Sequence, residues 1–223
     1  MRYAHIEKAE FLARPNRFIA QVRLGSETET VHVKNTGRCR ELLLPGAEVW
    51  LARRDNPGRK TRYDLIAVRK ESGLLVNMDS QAPNRVMAEW LAGQDFDRVQ
   101  SEYSWGESRI DFCLERGGRR CLLEVKGCTL ERGGVGYFPD APTERGVRHL
   151  HTLARAAGAG FAAAVAFVIQ MDGVTEVRPN VETHPAFGAA LEAARAAGVQ
   201  VLALPCHVEP DALSITAREP LRF

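Results

Sequence analysis

The sequence lacks the segments and the cysteine patterns that mark several large classes of protein. No window approaches the ~20 consecutive apolar residues of a membrane span, and the N-terminal segment contains no apolar stretch like that of a secretory signal peptide. The five cysteines include no Cys-x-x-Cys pair and are odd in number, which argues against a zinc site and against a disulfide framework. We therefore expect a cytoplasmic protein with no membrane partner.

Charge is nearly balanced over the whole chain but not along it. The net charge is +2, yet residues 1 to 80 carry 15 Lys and Arg against 10 Asp and Glu, and the remaining residues carry 15 against 18. A basic first third indicates contact with a polyanion. An ordinary solvated surface explains the same asymmetry, and both interpretations stay open.

Two apolar-rich runs flank Gly117 and Gly118, and this pattern predicts a β-hairpin. Glycine adopts φ > 0 at both positions of a two-residue turn without steric cost, so the two glycines would set the register of the strands. The apolar pairs are then Ile110 with Val125, Phe112 with Leu123, and Leu114 with Cys121, all on one face.

The other face of this hairpin would bring like charges together, with Asp111 opposite Glu124 and Arg109 opposite Lys126. Cross-strand Cβ atoms are ~5 Å apart, so two carboxylates repel there unless a cation lies between them. We predict that Asp111 and Glu124 bind Mg²⁺ or Mn²⁺, which would polarise a phosphodiester and activate water, and that Lys126 holds or deprotonates the nucleophile. The alternative is a surface patch in which Lys126 and Arg109 neutralise the acids.

The chain of 223 residues suffices for one large domain or two small ones with real cores. Residues 1–82 are predicted to form short strands separated by turns, with one helical turn near 38–44. The predicted strands span residues 11–13, 18–24, 30–34, 47–51, 63–68 and 74–77. This pattern predicts a small closed β-barrel of the OB type.

OB barrels commonly bind nucleic acid through basic grooves, and the barrel supplies several candidate side chains. The residues predicted here to bind DNA are Arg14, Arg17, Lys34, Asn35, Thr36, Arg38, Arg53 and Arg54. The turn Asn35-Thr36-Gly37 would hold an anion with its backbone N–H groups, or one of its side chains caps the helical turn that follows. For each charged residue, a solvated surface position is the alternative.

Residues 83–223 are predicted to begin with a helix whose N-cap is Asn84 and to contain a second helix from Thr143 to about Ala157. The second helix has a cationic face beside the hairpin, which would hold phosphates or would simply be solvated. The residues predicted to bind DNA here are Thr143, Arg145, Arg148 and His149.

The rest of this second part alternates strands and helices. Residues 161–170 form an apolar run typical of a central strand buried on both faces, and a third helix over 185–197 precedes a buried strand over 199–204. A short strand is indicated over 213–217. The order predicts a mixed sheet covered by helices, so the fold class is α/β for this part and α+β overall.

Asp111 followed by Glu124-x-Lys126 resembles the signature of the PD-(D/E)xK nuclease superfamily, with Ile110 in place of the proline that often precedes the Asp. The resemblance implies a PD-(D/E)xK-like domain over residues 83–223. In that superfamily an acid from the helix before the hairpin often joins the metal site, which implies Glu89 as a further metal ligand. The alternative for Glu89 is a solvated position on the helix surface.

A wider resemblance covers residues 10 to 206. The matching stretches are Arg17-Phe18-Ile19-Ala20, residues 32–37, Pro45-Gly46-Ala47, residues 108–112, Leu123-Glu124-Val125-Lys126 and residues 138–150. Together they are similar to the sugar fermentation stimulation protein (SfsA) family. The family usually has Ser-Met where Arg38 and Cys39 stand here, and Lys at the place of Arg148.

That resemblance implies DNA binding without strong sequence preference, regulation of sugar metabolism, and an OB-like barrel followed by a nuclease-like domain. Two hypotheses follow. In one, the protein is a metal-dependent deoxyribonuclease of low sequence specificity; in the other, it is a non-catalytic DNA-binding regulatory factor linked to sugar metabolism. DNA is the partner in both hypotheses. Its single- or double-stranded form and the homo-oligomeric state of the protein stay open.

Overall fold

The computed structural model describes residues 1–35, 37–55, 58–217 and 221–223. The first part contains β1 (Ile6–Asn16), β2 (Ile19–Leu24), β3 (Glu27–Val33), β4 (Glu48–Arg53), β5 (Tyr63–Arg69) and β6 (Leu75–Asn77). The second part begins with α1 (Ala82–Ala92), β7 (Arg98–Trp105), β8 (Ser108–Arg116), β9 (Arg119–Cys128), β10 (Leu130–Arg132) and β11 (Val135–Phe138). It ends with α2 (Glu144–Gly158), β12 (Ala162–Ile169), β13 (Val177–Pro179), α3 (Pro185–Ala196), β14 (Gln200–Glu209) and β15 (Ala212–Ile215). In these described ranges, no helix is long and apolar enough to cross a membrane.

The first part is a closed five-stranded barrel, as predicted. The sheet follows the order β3-β2-β1-β4-β5-β6, and parallel pairing of β3 with β5, at His32 with Asp64 and Val33 with Leu65, closes the first five strands of the chain into the barrel. β6 pairs with β5 as a sixth strand outside this ring. Alternating apolar side chains from these strands fill the interior. This architecture confirms the OB-type barrel.

Two details of the barrel differ from the sequence-based expectation. β1 begins at Ile6 rather than near residue 11, because its first half pairs with β4 even though charged side chains interrupt its apolar pattern. The predicted helical turn near 38–44 is a set of tight turns, in which the N–H groups of Leu42 and Leu43 both donate to the carbonyl oxygen of Cys39.

The second part is built on a six-stranded mixed sheet with the order β15-β14-β12-β9-β8-β7. β12 lies between β9 and β14 and is parallel to both, and its apolar run is buried on both faces as predicted. A small sheet of β10, β11 and β13 flanks it. The α/β class of this part, and α+β for the whole chain, are confirmed.

The helices cover the two faces of this sheet, and their ends are set by local signals. α2 and α3 pack on one face, and α2 begins as predicted, with Thr143 Oγ1 accepting a hydrogen bond from the N–H of Gly146 at 3.0 Å. α1 lies on the other face, and Asn84 is not its N-cap. The N-cap is Gln81, three residues earlier, because Pro83, which has no N–H to satisfy, suits the first turn.

The hairpin of β8 and β9 has the predicted register over its outer half. Phe112 pairs with Leu123 and Leu114 pairs with Cys121 across a two-residue turn of glycines with positive φ. The prediction of one wholly apolar face was wrong for Ile110, which packs with α2 and α3, whereas Phe112 and Leu114 pack on the side of α1. β7, which borders β8, was not predicted, since most of its residues are exposed or half-buried and have no clear alternation.

Buried residues of the barrel and of the second part pack in shared clusters. Trp50 and Ile66 of the barrel pack in one cluster with Met87 of α1 and Phe112 of β8. The Gln170 side chain also donates from Nε2 to backbone and side-chain oxygens of the segment at the end of β6. The expected division at residues 82 and 83 falls inside the first turn of α1 and stays a prediction.

Candidate active site

Asp111 and Glu124 lie where the strands of the hairpin part. The ladder between β8 and β9 ends at the pair Phe112–Leu123, one residue before each acid. Beyond this point β9 continues along β12, with Glu124 level with Val165. Because the backbone pairing of β8 and β9 ends there, the two strands leave space between them for the two acidic side chains.

Asp111 is held by one hydrogen bond to each carboxylate oxygen. Asn84 of α1 donates from Nδ2 to Oδ1 at 2.8 Å, and the backbone N–H of Val125 donates to Oδ2 at 2.8 Å. Burial raises the pKa of the Asp111 carboxyl above its ordinary value, and the negative charge of Glu124 raises it further. The anionic form of Asp111 is therefore costly in the protein without a cation.

Glu124 is buried and uses only one of its two oxygens. Its Oε1 contacts Lys126 Nζ at 2.6 Å and also His149 Nδ1, whereas Oε2 is buried without a hydrogen-bond partner among the described residues. Burial acts to raise the pKa of this carboxyl, but the hydrogen bonds and charges of His149 and Lys126 outweigh it and lower the pKa below its ordinary value. Glu124 thus keeps a negative charge and an unsatisfied acceptor.

This pair of acids fits a hard divalent cation. A buried acceptor without a partner is costly, and a carboxylate oxygen is the ligand that Mg²⁺, Mn²⁺ and Ca²⁺ prefer. Over the ranges that the structure describes, no group of three or more His, Cys, Asp and Glu side chains is arranged to hold a metal. Asp111 and Glu124 would therefore share the coordination with water or substrate oxygens, as is usual for Mg²⁺.

The structure does not bring Glu89 to these acids, contrary to the expectation from the nuclease superfamily. Its carboxylate pairs with the amino group of Met1 at 2.6 Å and is 60% exposed. The N-terminus is buried against α1, where its ammonium group also donates to the carbonyl oxygen of Leu213 at 2.6 Å, so the Glu89 carboxylate has a partner within the protein. Arg109 is likewise directed to Glu102 and does not neutralise the hairpin acids.

His149, which contacts Glu124, does not lie on the face of α2 that the sequence pattern predicted. It was expected on the exposed cationic face of α2, but it is buried beside Glu124, while Arg145 Nε lies 3.4 Å from its Nε2. Small or buried residues at helical spacing, Gly146 and Thr152, share its face, and this pattern could have indicated burial. Among the predicted DNA-binding residues of α2, the exposed cations are Arg145 and Arg148.

A cleft of about 830 Å³ lies between the barrel and the second part. Its polar lining includes Arg14, Arg17, Arg38, Arg40, Asp140 and Thr143. Gly127, the residue after Lys126, also lines it, so the cleft reaches the strand that carries Glu124 and Lys126. Arg17 and Arg38 are exposed there, as DNA-binding residues would need to be.

The predicted anion-binding turn is occupied by an anion of the protein itself. The backbone N–H groups of Arg38 and Cys39 hydrogen-bond the Asp140 carboxylate, while burial raises the pKa of Asp140 above its ordinary value. Asn35 closes the turn, because its Oδ1 accepts from the N–H of Gly37 at 2.8 Å. Thr36 lies outside the described residues. The N–H groups of Gly37, Arg38 and Cys39 are thus bonded to side-chain oxygens of the protein, and the binding of an external phosphate by this turn stays a prediction.

Three more of the predicted DNA-binding cations are engaged inside the protein. Arg14 donates hydrogen bonds to the carbonyl oxygens of residues 17, 35, 37 and 38 and so stabilises the turn. Lys34 contacts Asp79 at 3.1 Å and Asp64 at 3.5 Å, and Arg54 Nε donates to Asp64 at 2.8 Å. Arg53, by contrast, is exposed.

Comparison with known proteins places these features in a family. A family model described as the sugar fermentation stimulation protein RE domain matches residues 81–212, and one described as the SfsA N-terminal OB domain matches residues 12–78. Relatives named sugar fermentation stimulation protein homolog include one from Desulfitobacterium hafniense, 52% identical over 96% of this chain and 94% of the relative. Another, from Ruminiclostridium cellulolyticum, is 47% identical over 100% of both chains.

A solved structure also matches along nearly the whole chain. It is described as the structure of Pyrococcus furiosus SfsA in complex with Ca²⁺. The TM-score is 0.85 at 28% sequence identity, over 97% of this chain and 95% of the other. The two folds therefore agree across both the barrel and the mixed sheet.

Proposed function

The chain belongs to the sugar fermentation stimulation protein family, and from this premise we propose that it binds DNA with little sequence preference and hydrolyses phosphodiester bonds with Mg²⁺ or Mn²⁺. One observation carries the catalytic half of this proposal. Glu124 has a buried carboxylate oxygen without a partner among the described residues, and its negative charge raises the pKa of a second, half-buried acid, Asp111. Such an arrangement is costly unless a cation completes it.

The residues around the two acids have separable roles. A cation held by Asp111 and Glu124 would supply positive charge that polarises a phosphodiester and lowers the pKa of bound water. Asn84 and the N–H of Val125 fix the Asp111 carboxylate, and His149 fixes one oxygen of Glu124. The ammonium group of Lys126, 2.6 Å from Glu124, would stabilise negative charge that develops on the phosphate.

The comparison structure supports the choice of a hard cation. The Pyrococcus furiosus relative is described in complex with Ca²⁺, which like Mg²⁺ takes oxygen ligands. Asp111 and Glu124 are the acids that this chain offers for such an ion inside its sheet. Glu89 is not proposed as a ligand, because it pairs with the amino group of Met1.

The DNA-binding half of the proposal rests on charge and exposure. Residues 1 to 80 carry five more basic than acidic side chains, 15 against 10, and Arg17 and Arg38 are exposed in the cleft. Arg145 and Arg148 are exposed on α2, whose His149 contacts Glu124. Contacts of this kind go to phosphates, so they give affinity without sequence preference and depend on salt.

A second function, DNA binding without cleavage in a regulator linked to sugar metabolism, is favoured by one feature. Lys126 and His149 both approach Glu124 and offset its charge without a metal. An ion pair of this kind could serve as a structural element only. The two functions predict different results with the same DNA.

The deciding experiment incubates the protein with labelled single-stranded and duplex DNA in chelator, Mg²⁺ or Mn²⁺. The first function predicts metal-dependent cleavage that Asp111→Asn and Lys126→Ala abolish while DNA binding persists. Asp95→Asn is the matched control, because Asp95 is exposed and remote in sequence from both acids. Titration calorimetry of the metal alone gives a second readout, in which only Asp111→Asn should lose binding. DNA binding without cleavage in either metal would support the second function instead.

A further inference from the structure

Phe18 is an exposed aromatic side chain at the tip of a barrel hairpin. It lies between β1 and β2 and is 50% exposed, which is unusual for a phenylalanine in a rigid part of a fold. A single exposed apolar residue needs no explanation by itself. Its fixed backbone and its position beside a cationic cleft set this one apart.

The backbone around Phe18 is held by hydrogen bonds on both sides. Asn16 Oδ1 accepts from the N–H of Phe18 at 2.9 Å and from that of Ile19 at 3.1 Å. The N–H of Val33 donates to the Phe18 carbonyl oxygen at 2.7 Å, and Arg14 Nη2 donates to the carbonyl of Arg17 at 2.8 Å. A ring presented on a fixed backbone loses little entropy when it binds a partner.

Phe18 adjoins the cleft between the barrel and the second part. Asn16 and Arg17 line that cleft, and the Arg17 guanidinium carbon lies 5.8 Å from the centroid of the Phe18 ring. The described lining contains four arginines, Arg14, Arg17, Arg38 and Arg40, and one acid, Asp140. The lining also includes Gly127, next to Lys126.

The dimensions of the cleft select between forms of nucleic acid. Its volume of about 830 Å³ lies in the range of ~300–1,000 Å³ that is typical of sites for small ligands. Unpaired nucleotides can enter a space of that size, whereas a duplex, with two backbones around stacked base pairs, would lie against its rim. Proteins that bind single strands combine a basic groove with an aromatic side chain on which a base stacks.

We propose that the cleft binds unpaired nucleotides of a single strand and that Phe18 stacks on a base at its mouth. Arg17 and Arg38, both exposed, then lie beside the adjoining phosphates. This inference rests on the proposed function and adds to it the substrate class, a single-stranded segment. It also assigns Phe18 as the residue that distinguishes single-stranded DNA from duplex DNA.

The test measures fluorescence anisotropy of a labelled oligothymidine and of a duplex of equal length, with the full chain in chelator. Phe18→Ala should weaken binding of the single strand by about 5- to 100-fold, the range for loss of one stacked base, and change duplex binding less than 2-fold. Phe18→Trp should retain binding of the single strand. Val99→Ala is the matched control, because Val99 is also an exposed hydrophobic residue, on edge strand β7.

The outcomes separate this inference from the proposed function. If Phe18→Ala and Val99→Ala bind the oligothymidine equally well, or if the duplex binds more tightly and is also weakened by Phe18→Ala, the single-strand site is overturned while DNA binding stands. If the parent binds neither nucleic acid, both the proposed function and the single-strand site are overturned. A melting temperature for each variant shows that the fold is retained.

Discussion

Gly37 and Asp140 lie so close that a Cβ atom at residue 37 would fall 2.0 Å from Asp140 Oδ2. Gly37 belongs to the turn after β3, whereas Asp140 follows β11 in the second part. The absence of a side chain lets the barrel turn approach the carboxylate, and the N–H groups of Arg38 and Cys39 then bond to it. This contact forms one side of the cleft.

The first prediction concerns this approach. Gly37→Ala should destabilise the protein by about 1–3 kcal/mol, because the methyl group forces the turn away from Asp140. Urea unfolding monitored by circular dichroism measures the change. Gly158→Ala is the control, since nothing lies within 4 Å of its added methyl group and alanine favours a helix. Equal stabilities of the two variants would contradict the tight approach.

A second prediction follows from Asp64, which is fully buried in the barrel. Burial acts to raise the pKa of this carboxyl, but hydrogen bonds from Arg59 and Arg54 and the charge of Lys34 lower it to about 2. Because the folded-state pKa lies below the ordinary value, the stabilisation is present above about pH 4 and is lost as the pH falls toward 2. Asp64→Asn should therefore lower the free energy of unfolding by about 3 kcal/mol at pH 7.

The pH dependence supplies the check on Asp64. The difference in unfolding free energy between the parent and Asp64→Asn should shrink as the pH is lowered from 5 toward 3. Asp55→Asn, an exposed acid of the same loop region, should be nearly neutral throughout. A difference that stays constant over this pH interval would show that the Asp64 charge does not stabilise the barrel.

The third prediction separates two kinds of basic residue in the segment from Arg53 to Lys60, called the basic loop below. Arg53 and Lys60 are exposed, so Arg53→Glu with Lys60→Glu should weaken DNA binding for all sequences and reduce the salt slope by about 2. Arg54→Glu or Arg59→Glu would instead place a carboxylate against buried Asp64 and destabilise the fold. Binding titrations at several salt concentrations and melting curves measure the two effects.

The control for the loop is a pair of reversals on exposed arginines elsewhere, Arg178→Glu with Arg195→Glu. These change the net charge by the same amount. If the control pair weakens binding as much as the loop pair, general attraction by net charge explains the affinity, and the loop is not a contact surface.

Local signals predicted those parts of the fold that depend on neighbouring residues. The glycine pair set the register of Phe112 with Leu123, and Thr143 capped α2, because turns and caps are decided within a few residues. The buried run of β12 was likewise evident from its apolar composition.

The errors arose where distant segments meet. No local sequence signal predicts that Lys34 pairs with Asp64 and Asp79. The same holds for the ion pair of Glu89 with the amino group of Met1 and for the hydrogen bonds between Asp140 and the backbone after β3. In each of these contacts, a group that was predicted to bind a ligand instead binds another group of the protein. Residue type and spacing therefore predicted the acids of the candidate site. Which cations are exposed to solvent and which pair with acids inside the protein could be seen only in the folded structure.

The last prediction concerns the hairpin acids. Mg²⁺ or Mn²⁺ at 100 times its dissociation constant should stabilise the parent by ~2.7 kcal/mol, which raises the melting temperature of a chain of this size by about 5–10 °C. Asp111→Asn should abolish this gain, whereas Asp95→Asn should keep it. Thermal melts with chelator and with excess metal measure the shifts.

The metal-free proteins give a further check, because two effects of Asp111→Asn oppose each other. The substitution relieves repulsion with Glu124, but the amide can accept only through one oxygen, so it loses the hydrogen bond from either Asn84 or the N–H of Val125. Each effect is about 1 kcal/mol, so the metal-free variant should lie within about 1 kcal/mol of the parent. Equal metal-dependent shifts in the parent and in Asp111→Asn would show that Asp111 and Glu124 do not share a cation, and the nuclease function would then lose its basis.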